Sequence, residues 1–139
     1  MMMKNMFGIG LGKHKRKLEQ AFEKCFWPLI DELGNVPIPM QTDPAINGSI
    51  LAVCEKYAEL QNVTKPTDIA LMADAAFEEV YRMESVNVQE RVDTWKNSSN
   101  DDFTQAYEVA KDKTTADLDL AWLTTYAKEN FDQATGLML

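Results

Sequence analysis

Apolar residues recur at three- and four-residue intervals along most of this chain, and that spacing limits the folds open to it more than any other feature. Between Lys13 and Leu33, one helical face carries Leu18, Ala21, Phe22, Cys25, Phe26, Leu29, Ile30 and Leu33. Pro28 interrupts this stripe, removes a backbone donor and predicts a kink near Lys24. Gly34 reads as the residue after the helix end. The prolines of "NVPIPMQT" predict an extended linker, since each pushes the residue before it away from helix.

Asp43 and Pro44 then mark a helix start, with Ile46, Ile50, Val53, Cys54, Tyr57 and Leu60 on its apolar face. A third helix follows "NVTKPTD", striped by Ile69, Met72, Ala76, Val80 and Met83. Its register breaks near Ser85, where Asn87 and Glu90 have the spacing of a capping box that opens a short helix to about Trp95. After the loop "KNSSND" comes a stripe of Phe103, Ala106, Tyr107 and Ala110, and the last helix is expected from Thr115 to Phe131. Gly136 ends any remaining helix.

No segment alternates with a period of two. Asn47-Gly48 falls inside a helical stripe and not between two apolar runs, so it marks no hairpin. The expected fold is therefore all-α, a single-domain bundle of five or six helices over residues 13–139, preceded by a flexible N-terminal tail, residues 1–12. The last helix is expected at its centre. Leu118, Trp122 and Tyr126 form one stripe on it; Leu120, Leu123, Ala127 and Phe131 form another, and a one-sided surface helix needs only one. Either its own chain encloses both stripes, which the domain size favours, or Leu120, Leu123 and Ala127 line the seam of a homodimer.

With 139 residues, 45% of them hydrophobic, and 13 aromatic side chains, the chain is able to bury a core. No apolar run is long enough to span a bilayer. The order "MFGIGLG" then "KHKRK" reverses that of a secretory signal, and two cysteines make no disulfide framework, so a cytoplasmic location is expected.

Charge is unevenly placed. Lys4, Lys13, Lys15, Arg16 and Lys17 occupy the first 17 positions with no acid among them, yet the whole chain is at −8. Such an acidic body repels nucleic acid and anionic lipid and attracts a basic partner. "KHKRK" has no interleaved aromatics, so no nucleic-acid partner is expected. The glycines of "GIGLGKH" lack the spacing, the following Ser or Thr and the preceding strand of a phosphate loop. Positive charge in a first helical turn opposes the helix dipole, which singles out Lys13, Lys15, Arg16 and Lys17 as an interaction segment.

Catalytic constellations are scarce. His14 is the single histidine and lies near the N-terminus, so Ser/His/Asp, Cys/His and Glu-x-x-His di-iron sites have no base or ligand. Cys25 and Cys54 lie on apolar faces and read as small hydrophobes. Trp95 and Trp122 read as core, and Trp27 as the edge of the first helix's buried face. No cofactor and no metal are expected. The carboxylates of Asp74, Glu78, Glu90 and Asp93 offer the one alternative, a magnesium site of the kind all-α hydrolases use, although only half of such a motif, Glu90-x-x-Asp93, is present.

What remains is a small acidic helical protein acting through protein–protein contact, of an adaptor, chaperone-like or inhibitor/immunity type. Its expected partner is another, basic protein, or a second copy in a homodimer. The rival readings are a magnesium-dependent all-α hydrolase and a peripheral membrane protein anchored by the N-terminal segment.

Overall fold

The computed structural model describes the backbone of residues 2–132, and side chains from residue 10 onward. Six α-helices make up the described chain: α1 (Met2–Phe26), α2 (Pro44–Leu60), α3 (Pro66–Tyr81), α4 (Ser85–Asn97), α5 (Asp101–Lys113) and α6 (Ala121–Phe131). Three short 3₁₀ turns sit at Trp27–Leu29, Ile38–Thr42 and Arg82–Glu84, and there is no strand among the described residues. The all-α, single-domain architecture follows from the helical spacing. Gly136 lies outside the described residues.

Helix α2 is the most enclosed, burying eleven residues from Ile46 to Ala58. It packs along α5 and also meets α3, α4 and α6, while α1 lies against α3. The closeness of α2 and α5 explains Gly48. A Cβ there would stand 2.7 Å from the carbonyl oxygen of Phe103, so only glycine lets the two backbones approach. The neighbouring Asn47 is fully buried and satisfied: its amide donates to the carbonyls of Met40 (2.8 Å) and Asp43 (2.9 Å). Asp43 caps α2 as expected, accepting from the Ile46 amide at 2.8 Å.

Several boundaries differ from the sequence reading. Helix α1 starts at Met2 and not near Lys13. It also ends at Phe26 and not at Leu33. Pro28 stops it where a kink was expected, because Trp27, preceding a proline, is pushed out of α geometry. The "NVPIPMQT" linker carries the 3₁₀ turn Ile38–Thr42. Helix α4 begins at Ser85, without the capping box; Asn87 donates to the Glu84 carboxylate (3.1 Å) instead.

The last helix begins at Ala121, six residues later than expected, because the chain turns at Leu118, whose φ is +54°. This correction removes α6 from the centre. It buries only Leu123 and Ala127 in the core, whereas α2 buries eleven residues and takes the central place.

Candidate interaction surface

Two large apolar side chains stay exposed on the segment that follows α1. Trp27 is 64% exposed and Leu33 78%, both just beyond the end of α1. They border a cavity of about 580 Å³ between that segment and the end of α3. Its floor includes the buried rings of Phe22 and Phe26, stacked at 6.2 Å. Proline chemistry sets this up: with the helix stopped at Phe26, residues 30–35 turn back as a tight loop.

The loop is held by its own polar groups. Asp31 Oδ1 accepts from the amides of Leu33 and Asn35, both at 2.9 Å, and the Asp31 amide donates to the Asn35 carbonyl, also at 2.9 Å. Gly34 takes φ +82°, which favours glycine. From the other side, Arg82 Nη1 donates to the Leu33 carbonyl at 3.2 Å, and its guanidinium lies so near Gly34 that a Cβ there would meet Nη1 at 3.1 Å. Leu33, expected on a buried stripe, is thereby presented to solvent at the loop tip.

Carboxylates rim the cavity. Glu23 comes from α1, Asp31 and Glu32 from the loop and Glu79 from α3, against one cation, Arg82, which is engaged with Leu33. Partial burial first, then the charges of Glu23 and Glu19, push the Glu79 carboxyl up, and Arg82 offsets this only in part. Its neighbour in α3, Glu78, is pushed up by Asp74, one turn earlier on the helix. Among the described residues neither Glu23 nor Glu79 forms an ion pair; such a pair does join Lys56 to Glu59 at 3.5 Å.

The residues singled out in the sequence are dispersed. Lys13, Arg16 and Lys17 are exposed on α1, and Lys15 is half-buried, near enough to Glu78 to draw its carboxyl down. They lie turns inside a helix that starts at Met2, so the clash with the helix dipole, which is confined to the first turn, falls away. His14 sits between them with Nδ1 3.4 Å from the Tyr57 hydroxyl, and burial and the charges of Lys13 and Lys17 hold its pKa down. Leu120, Leu123 and Ala127 are buried by their own chain (5%, 1% and 0% exposed), while Trp122 and Tyr126 of the other stripe are half-buried.

The four alternative metal carboxylates do not converge. Asp74 accepts from Gln89 at 3.0 Å, while Glu90 and Asp93 are exposed on α4. Among the described residues, no three His, Cys, Asp or Glu side chains come together as a metal site. Both thiols are free and buried; burial lifts Cys25 to about 12 and Cys54 further, so neither is nucleophilic at neutral pH. Trp95 and Trp122 pack against the core as partly buried rings. Among the described residues no helix is long and apolar enough to cross a membrane.

No local pattern reveals the cavity, because the spacing of Leu33 continues the apolar stripe of α1. Pro28 was the signal available: no helix passing through Trp27-Pro28 keeps its α geometry without a break.

The fold and this surface define a small all-α protein with an acid-rimmed apolar cleft. No protein-family model matches the chain, and comparison with curated proteins and with solved structures also yields no match.

Proposed function

We propose that this is an acidic helical protein that acts by contact with a basic protein partner, as an adaptor, chaperone-like or inhibitor/immunity-type module does, and not by catalysis. One observation carries the reading: large apolar side chains are exposed beside carboxylates that repel one another and have no cation to themselves. Folding alone gives no reason to keep that combination, since exposed apolar surface and like charges both work against an isolated domain. A partner supplying apolar contact and positive charge relieves both. The free, buried thiols suit a reducing compartment, so the proposal places the protein in the cytoplasm. It places no homodimer seam at Leu120, Leu123 and Ala127, which are already enclosed.

Calorimetric titration with a short lysine–leucine peptide tests this. Saturable binding that weakens as salt rises supports the reading. No binding, or equal binding of a glutamate–leucine peptide, contradicts it. Stabilisation by magnesium or manganese in a thermal melt would favour the hydrolase reading instead.

A further inference from the structure

Resting on that reading, we propose that the cleft between Trp27, Leu33 and Glu79 is the docking site, and that it takes a segment of a partner protein with an apolar side chain flanked by lysine or arginine. The cleft has the parts such a segment requires. Trp27 and Leu33 form exposed apolar walls over the buried rings of Phe22 and Phe26. An aromatic or aliphatic side chain entering there loses its water on several sides at once, which is where contact energy concentrates.

Charge decides what flanks it. Four carboxylates, from Glu23, Asp31, Glu32 and Glu79, line the cleft against the single guanidinium of Arg82. That guanidinium is turned to the Leu33 carbonyl and braces the wall. An acidic or neutral segment would leave the carboxylates repelling one another in a drier site. A lysine or arginine on each side of the anchor neutralises them as they lose water.

The walls are positioned before binding. Asp31, Asn35 and Arg82 hold the loop that carries Leu33 through five hydrogen bonds, so little ordering is needed when a partner arrives. The same charge disfavours an anionic membrane as occupant, since its headgroups would meet the acidic rim first.

The test uses the full chain and a short lysine–leucine peptide, with Trp27 emission and calorimetry as readouts. Emission should shift to the blue on binding as the exposed indole loses water, and Trp27→Phe should remove that shift. Leu33→Ser, at an exposed loop tip, and the pair Glu23→Lys with Glu79→Lys should each weaken binding about tenfold or more. The control pair Glu108→Lys with Asp112→Lys, on exposed positions of α5 outside the cleft, changes net charge equally and should weaken it by less than about threefold. Replacing the peptide's leucines by serine should abolish the shift. Circular dichroism melts confirm that each variant folds.

If the peptide binds but both charge-reversal pairs act alike, or Leu33→Ser has no effect, the cleft is the wrong site while the basic-partner reading stands. If the peptide does not bind at all, that reading fails and takes the cleft with it. A blue shift of Trp27 on vesicles of anionic phosphatidylglycerol but not on the peptide overturns the choice of a protein segment.

Discussion

Arg82 Nη1 reaches the carbonyl oxygen of Leu33 at 3.2 Å and ties the end of α3 to the loop after α1, two segments 49 residues apart. Arg82 also holds φ at +55°, a value that favours glycine. Two effects therefore separate by substitution. Arg82→Ala loses the brace and keeps the backbone cost; Arg82→Gly loses the brace and relieves that cost. Glycine should be the more stable of the two by about 1 kcal/mol. Both should speed amide exchange at Leu33 and Asn35 and leave α2 unchanged. Equal melting temperatures for the two variants would contradict the backbone argument.

Gly48→Ala places a methyl against the Phe103 carbonyl, 2.7 Å away, where neither backbone yields easily. Alanine normally improves a helix by about 1 kcal/mol over glycine. Here overpacking should win and the net effect should be a loss of about 1–3 kcal/mol. Thermal or urea unfolding reads the sign directly.

Tyr81 donates to Asn47 Oδ1 at 2.6 Å in a fully enclosed setting that joins α3 to α2. Tyr81→Phe removes the donor and leaves that oxygen buried without it. The loss should be about 1–3 kcal/mol, read from urea unfolding. A loss below about 0.5 kcal/mol would mean that water enters to replace the hydroxyl.

Acid should stabilise this protein before it harms it. Glu78 and Glu79 both have carboxyls raised in the folded chain, so the native state binds more protons than the unfolded one as they titrate. Their contribution is therefore most favourable below the unfolded carboxylate pKa and is lost as pH rises through the raised values. Lowering pH from about 7 to about 5 should raise the melting temperature slightly, before the general loss of carboxylates at lower pH takes over. Added salt at neutral pH should act in the same direction by screening the repulsion. A melting temperature that falls steadily from neutral pH would show the repulsion to be unimportant.

The helical period was legible because each buried face repeats it: Leu18, Phe22, Cys25 and Phe26 are all buried as their spacing predicts. Asp43 as a cap was legible because capping is a local event, completed within three residues. What escaped was non-local. Gly48 reads as a flaw in a helix until Phe103, from another helix, is brought against it. Leu33 and Met83 fit apolar stripes but lie beyond the points where Pro28 and Arg82 end their helices, and both are exposed. The acidic cleft needs α1, α3 and the loop together, and no local pattern joins Glu23 to Glu79.

Melting curves of the wild type and Glu79→Gln, each alone and with saturating lysine–leucine peptide, test the central claim most directly. A carboxylate kept for a partner should cost stability when the partner is absent. Alone, Glu79→Gln should melt higher than the wild type, by an amount equivalent to about 0.2–1 kcal/mol. With peptide the order should reverse, because the wild type binds more tightly and gains more from the bound state. The same order with and without peptide, or a variant that melts lower when alone, would contradict the account.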